Sequence, residues 1–435
     1  MKNTNTLKEF AKYTSLNVLG MLGLSCYILA DTFFVSQGLG VNGLTALNLA
    51  IPIYSLVHGS GLMLGIGGAT KYSICKGREN RKITNAIFMN TIYMAAIIAF
   101  LFSAAGIFFS GAIAEALGAD SAVHAMTNTY LKVILLFAPA FILNDVLICF
   151  VRNDGNPRLS MIAMLGGSIS NVFLDYLFIF PLRMGIFGAV FATGLAPLIS
   201  MVILSWHLLK RKHEFHLIKT KPNVSLMRSL LALGFPSLVT EVSSGIVIVV
   251  FNVIIGKLAG NTGIAAYGVV ANLSLVVVAV FTGIAQGIQP LVSKAHGNGD
   301  PAAVKRVVRY AMTAMLILSC VIYICIFLFA NPIADLFNQE RNALLQKIAV
   351  DGLRLYFTGA VPVGFNIILA VFFTSTERVM PAHLMSLLRG LILIIPFAFL
   401  LSAIWGVTGV WLAFPTTEWI VSLLGVGLLL LRQRN

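Results

Sequence analysis

GVNGLTALNLAIPIYSLVHGSGLMLGIGGATKYSICKG, residues 40–77, is answered 220 residues later by GNTGIAAYGVVANLSLVVVAVFTGIAQGIQPLVSKAHG, residues 260–297. Gly40, Gly43, Gly67, Ser73 and Gly77 fall on Gly260, Gly263, Gly287, Ser293 and Gly297 without a gap. Small residues held in register over such a length mark an internal duplication. The correspondence continues with some drift, Pro139 matching Pro362, Pro157 matching Pro381, and Gly185 and Gly188 matching Gly406 and Gly409. The second half of the chain repeats the first.

The repeated unit is a membrane unit. Of the 435 residues, 58% are hydrophobic and 11% charged, and the mean hydropathy is +0.91. Twelve apolar runs recur, near 14–36, 44–70, 84–108, 129–151, 159–180, 186–209, 229–256, 264–290, 307–330, 350–374, 381–403 and 407–431. Each is long enough to cross roughly 30 Å of hydrocarbon as a helix. The first run has no small-residue cleavage site after it, so a retained helix is expected there rather than a removed signal peptide.

The net charge of +14 has a topological explanation. Basic residues gather before the first run (Lys2, Lys8, Lys12) and after the even ones: Lys71, Lys76, Arg78, Arg81 and Lys82; Arg152 and Arg158; six between Lys210 and Arg228; Lys294 to Arg309; Arg378; Arg432 and Arg434. The odd loops hold only Arg183, Lys257, Arg341 and Lys347. Positive residues mark the cytoplasmic side, so both termini are expected there, in a multi-pass protein of the plasma (inner) membrane. No basic domain exists to hold nucleic acid. Anionic lipid at the 210–228 segment is a secondary expectation.

Six spans per half is an even number, so the halves share one orientation and are related by an axis along the membrane normal. The predicted architecture is an all-α integral membrane protein of twelve transmembrane helices in two parallel six-helix repeats. Residues 1–209 form an N-lobe, 210–228 a basic cytoplasmic linker and 229–435 a C-lobe. Parallel repeats of this kind carry a cavity that rocking of the lobes exposes to either side, which is transporter architecture. Gly61-x3-Gly65 and Gly283-x3-Gly287 read as close helix packing. The five cysteines show neither disulfide nor zinc spacing and read as small core residues. KHEFH (212–216) places its histidines three apart, the wrong spacing for a metal-binding helix. No metal centre or organic cofactor is expected.

Ionisable groups inside the spans are expensive, about 2.5–3.5 kcal/mol each at mid-membrane, and mark function or pairing. They are Asp31, Asp145, Asp175, Glu241, Arg389 and Glu418. The first and fifth spans both run outward, which puts Asp31 and Asp175 about 7–8 Å below the outer face; Thr193 lies about 10 Å and Asn171 about 13 Å down. Two carboxylates, an amide and a hydroxyl at one depth can share a proton or coordinate sodium. In the other half, Arg389 and Glu418 lie mid-span and suit a structural ion pair, which leaves Glu241 as a central carboxylate without an obvious cationic mate. Gln286 and Gln289 could line a cavity or serve the local backbone before Pro290. Asp145 is expected to snorkel toward Arg152.

LADTFFVSQGLGVNGLTALNLAIPI (29–53), NDGNPRLSMIAMLGGSISNVFLDYLFIF (153–180), GFPSLVTEVSSG (234–245) and GIAQGIQPLVSKAHGNGD (283–300) together resemble the multidrug and toxic compound extrusion (MATE) family, the last its MepA-like branch. The similarity runs over essentially the whole chain. It implies a cation-coupled antiporter that expels organic cations and other amphipathic toxic compounds through a cavity between two lobes, with H⁺ or Na⁺ as coupling ion. The family's N-lobe coupling site falls on Asp31, Asn171, Asp175 and Thr193, in agreement with the depth reading. Its seventh-helix glutamate falls on Glu241. The tenth-helix aspartate of the NorM-type branch has no counterpart; the nearest residue is Asn366, which carries no charge. Glu241, Gln286, Gln289 and Asn366 are thus candidates for a substrate cavity.

The reading is a secondary active multidrug exporter working by alternating access, acting as a monomer in lipid. The alternative is a flippase of lipid-linked sugars on the same scaffold, which would favour a cavity rich in arginine. An enzyme is not expected: no nucleophile–base set shares a depth.

Overall fold

The computed structural model describes residues 3–78, 81–210, 213–338 and 341–430. Lys2, Arg211, Lys212, Arg432 and Arg434 of the basic set lie outside the described residues. The fold is helical throughout: α1 (Asn3–Gly77), α2 (Arg81–Ala116), α3 (His124–Leu136), α4 (Ala138–Asn153), α5 (Pro157–Ile179), α6 (Gly185–Leu209), α7 (Val224–Gly297), α8 (Pro301–Leu328), α9 (Ala330–Phe337), α10 (Ala343–Tyr356), α11 (Ala360–Ser375), α12 (Val379–Leu387) and α13 (Ile394–Leu430).

Among the described residues, eight continuous helical stretches are long and apolar enough to cross a membrane, and α3 with α4, bent by 47°, makes a ninth. Three of the eight contain two helices each, joined at Gly40 in α1, Gly260 in α7 and Gly406 in α13. The crossings are therefore twelve, as the apolar runs predict.

The joints carry the sequence repeat into the backbone. Gly40 has φ 64°, ψ −158° and its counterpart Gly260 φ 61°, ψ −155°. The second matched pair behaves alike, Gly185 at φ 62° and Gly406 at φ 58°. This region of φ/ψ space is reserved for glycine because a Cβ would collide with the chain. The matched prolines agree as well. Pro139 follows the break at Phe137, and Pro362 follows the 3₁₀ turn Phe357–Gly359, since a proline tolerates only the first turn of a new helix.

The chain packs into two compact units. One comprises residues 15–242 with 290–301, the other 1–14, 243–289 and 302–435. The first has a core built around Leu64, Tyr72, Phe88, Phe150 and Phe215 and another around Val35, Val57, Ile134, Phe141 and Val190. The second buries Phe251, Tyr267 and Trp411, and Tyr356 stacks on Phe414 at 4.2 Å. Outward faces are apolar, as at Phe100, Phe108, Val202 and Leu423, which suits contact with hydrocarbon. Of the cysteines expected in the core, Cys75 and Cys149 are buried but Cys26, Cys320 and Cys325 are exposed. A helix face toward lipid accepts a small apolar thiol as readily as a core does.

Residues 214–223 of the 210–228 segment pack within the first unit. Phe215 is wholly buried among Phe88, Phe150 and Tyr72. Tyr93 donates to the Thr220 carbonyl at 3.0 Å, and Asn85 and Asn90 accept from the His216 and Asn223 backbone N–H groups, each at 2.8 Å. The anchor of the segment is Asp154, between α4 and α5, which accepts the Glu214 N–H at 3.0 Å. Tyr72, Lys76 and His207 also reach this carboxylate, at 2.6, 2.7 and 3.0 Å. Burial alone would raise its pKa, but the hydrogen bonds from His207, Lys76 and Tyr72 outweigh that and hold it below the usual carboxylate range.

Candidate functional site

Close packing brings α1 onto α5 at small residues. A Cβ at Gly20 would lie 2.9 Å from Met164 Sδ, and Gly23 and Gly38 face Leu165 and Ile179 in the same way. On the other flank of α5, a Cβ at Gly167 would lie 3.1 Å from the Ala196 carbonyl of α6. Three polar helix faces thus converge inside one unit, with Asp31 7%, Asn171 0%, Asp175 0% and Thr193 4% exposed. All four sequence-predicted residues of the first half meet there.

The carboxyl groups of Asp31 and Asp175 lie within hydrogen-bonding reach of each other. With its amide nitrogen toward the carboxylate, Asn171 donates to Asp175 Oδ2 at 3.0 Å, and its oxygen accepts from the Thr193 N–H at 3.2 Å. Thr193 Oγ1 donates to the Ala189 carbonyl at 3.1 Å. Among the described residues, the buried Oδ1 atoms of Asp31 and Asp175 meet no donor. Two facing carboxyls need a proton or a cation between them, since neither can donate while ionised.

Tyr130 of α3 joins this group, buried with its hydroxyl near Thr193, Asp31 and Asp175. The sequence reading passes over it because a tyrosine in an apolar run looks like core or interface. One residue into the fourth apolar run, it reads from the sequence as lying at the outer interface rather than at the depth of Thr193.

A second polar group in the same unit includes Asp145. It does not extend toward the end of α4; its Oδ2 lies 2.9 Å from His58 Nδ1 of α1, while Arg152 donates to Asn17 Oδ1 at 2.8 Å. The Gly61-x3-Gly65 face makes this possible: Cβ atoms there would lie 2.5 Å from Asp145 Oδ2 and 2.9 Å from the Asp145 carbonyl. Glu241, half-buried on α7, has His58 and Asp145 as its charged neighbours, and its Cβ sits 3.0 Å from where a Cβ on Gly59 would stand. It therefore has a titratable neighbour, His58, that the sequence reading did not find.

In the other unit Arg389 Nε donates to Glu418 Oε1 at 2.7 Å, from a π-helical turn, Leu388–Ile392. Asn366, a cavity candidate in the sequence, is wholly buried and belongs to this pair. It donates to Glu418 Oε2 at 2.7 Å and accepts from Ser422 at 3.0 Å. An uncharged amide there completes the glutamate's hydrogen bonds and leaves no polar atom for a ligand. Gln286 and Gln289 are buried on α7, 8% and 2% exposed. Among the described residues no cluster of three or more His, Cys, Asp or Glu side chains is placed to hold a metal ion.

The chain as a whole is similar to known proteins. The chain is 24% identical over 436 residues to the multidrug export protein MepA of Staphylococcus saprophyticus, covering 100% of this chain and 96% of that protein. It is 25% identical over 395 residues to the protein of the same name in Staphylococcus aureus, covering 90% and 86%. Among solved structures, a MOP superfamily transporter from Pyrococcus furiosus superposes with a TM-score of 0.89 at 22% identity, over 98% of this chain and 96% of that one. An outward-facing multidrug resistance MATE family transporter superposes with a TM-score of 0.90 at 21% identity, over 98% and 96%. The MatE family model matches residues 18–177 and 236–400, most of both halves, and the resemblance read from the four sequence motifs holds: the chain is a multi-pass membrane protein that belongs to the MatE family.

Proposed function

We propose that the protein is a secondary active exporter of organic cations and other amphipathic toxic compounds, antiporting them against H⁺ or Na⁺ by alternating access of its two six-helix halves. The observation that carries this is the buried contact of Asp31 with Asp175, braced by Asn171 and Thr193. A carboxyl pair of this kind accepts one proton or one sodium ion and changes its net charge when it does so. The names of the staphylococcal relatives, multidrug export proteins, support the choice of cargo.

In this mechanism the ion enters from the outer side and neutralises the pair. The like charges on α1 and α5 are then relieved, the packing of α1 against α5 and α6 changes, and the hold on the bound cation weakens, so that cargo leaves outward. Binding of the next cation from the cytoplasm returns the protein to its first state. Glu241, with Asp145, supplies negative potential that favours positively charged cargo. The termini are cytoplasmic and the membrane is the plasma membrane, as the placement of basic residues implies. Lipid is the only partner this mechanism needs besides ion and cargo, and one chain suffices for it.

Transport of ethidium into or out of proteoliposomes, driven by an imposed pH or Na⁺ gradient without ATP, tests the proposal. Flux that follows one of the two gradients is the expected result. Flux indifferent to both would show that no ion is coupled. A flippase of lipid-linked sugars would leave ethidium in place.

A further inference from the structure

His58, Asp145 and Glu241 form a cluster of titratable groups that the mechanism above uses only for its field, and two tyrosines of α1, Tyr54 and Tyr27, stand between it and the coupling site. His58 Nδ1 and Asp145 Oδ2 are 2.9 Å apart, with side chains 14% and 7% exposed. The His58 ring stacks on Tyr54, one turn earlier on α1, with centroids 5.9 Å apart and planes at 10°. The Tyr54 hydroxyl hydrogen-bonds the Tyr27 hydroxyl at 2.8 Å, and either can donate. Tyr27 is buried and lies four residues before Asp31 on the same face of α1, where it feels the charges of Asp31, Asp175 and Asp145 together.

The groups facing His58 are Asp145 from α4, Glu241 from α7 and Tyr54 from its own helix. An imidazole paired with a carboxylate can hold a second ring proton as imidazolium and give it up when the charge around it changes. Two hydroxyls in contact can pass one along, each accepting while it donates. Asp31, Tyr27, Tyr54 and His58 all lie on α1, so a change in its packing acts on both ends of the row.

We infer that the His58–Asp145 pair, beside Glu241, is a second proton-binding site of this transporter, joined to the Asp31–Asp175 pair through the hydroxyls of Tyr27 and Tyr54. The cation expelled and the proton held by His58 then compete for the same negative charge of Asp145 and Glu241. Binding of the organic cation releases the imidazolium proton: the N–H bond of His58 breaks, its electron pair stays on the ring nitrogen, and the proton passes along the hydroxyls or to water. The inference rests on the antiport reading but adds a site to it.

The test measures protons released when ethidium is added to the purified protein in weakly buffered detergent solution, alongside ethidium flux in proteoliposomes. His58→Gln is expected to release about one proton fewer per bound cation than the unaltered protein. Asp145→Asn, which removes the partner, should lose the same proton if His58→Gln folds poorly. Tyr54→Phe keeps the stacked ring and loses only the hydroxyl; the proton count should stay and the flux fall about tenfold. An unchanged count in both His58→Gln and Asp145→Asn overturns the second site, and so does an unaltered protein that releases no proton at all. Unchanged flux in Tyr54→Phe overturns the path. Asp31→Asn separates the two readings, because full transport in that variant removes the coupling role of the carboxyl pair while the count in His58→Gln still decides whether His58 holds a proton.

Discussion

Both oxygens of Asp154 are fully used: Oδ1 accepts from Tyr72 and Lys76, Oδ2 from His207 and the Glu214 N–H. Loss of one partner from a buried charged cluster leaves the remainder uncompensated, which destabilises by about 3–5 kcal/mol. Asp154→Asn should therefore lower the thermal unfolding midpoint of the detergent-solubilised protein at neutral pH and loosen the 210–228 segment to proteolysis. The folded state holds this carboxyl below its ordinary value, so its contribution is complete above the unfolded pKa of about 3.9 and disappears as pH falls through the folded one. The gap in midpoint between Asp154→Asn and the unaltered protein should close on acidification below about pH 4, and a gap that persists there would contradict the assignment. Residues of this kind differ in how visible they are beforehand. Asp31 and Asp175 stand out because a carboxylate in an apolar run is costly wherever it points. Tyr130, Tyr54 and His58 do not, because their rings are at home in a membrane helix and only the positions of their polar tips separate core from site.

At the scale of helices, Gly40 and Gly260 join two spans each at nearly the same φ and ψ. Among the described residues, no atom beyond the adjoining stretch of the same chain stands within 4 Å of a Cβ built on either, so a substitution is penalised by the local backbone alone. Gly40→Ala and Gly260→Ala should each destabilise by about 1–3 kcal/mol and by similar amounts, read as equal shifts of the unfolding midpoint. Gly67→Ala should cost more, since its Cβ would run into the Leu230 carbonyl of α7, a contact that no rotamer change relieves. The twelve crossings are legible from apolar runs, and these glycines are legible from the repeat. The π-helical turn that carries Arg389 is not, because it follows from a tertiary pair with Glu418 rather than from local sequence. The packing of 210–228 is hidden for a similar reason: a polar, basic segment reads as linker, and its one deep anchor, Phe215, is a single aromatic.

Across the whole molecule, one scaffold occurs twice while the polar chemistry does not. The first repeat carries the facing carboxyls; at the matching place of the second stand Phe251 and Asn252, and of the two span acids of that half Glu418 is balanced by Arg389 while Glu241 lies beside His58. Under the proposed antiport, facing carboxyls present in one repeat and absent from the matching place of the other assign ion coupling to the first half. Breaking the pair in the second should then act on stability first: Arg389→Met is expected to lower the unfolding midpoint, by about 3–5 kcal/mol of lost stability, while the surviving folded protein keeps its ion dependence. The central claim is that Asp31 and Asp175 couple an entering ion to the departing cation. It is tested most directly by ethidium flux in proteoliposomes under pH and Na⁺ gradients, comparing the unaltered protein with Asp31→Asn reconstituted in equal folded amount. The prediction is gradient-driven flux in the unaltered protein and none in Asp31→Asn under either gradient; full gradient-driven flux in Asp31→Asn would contradict it.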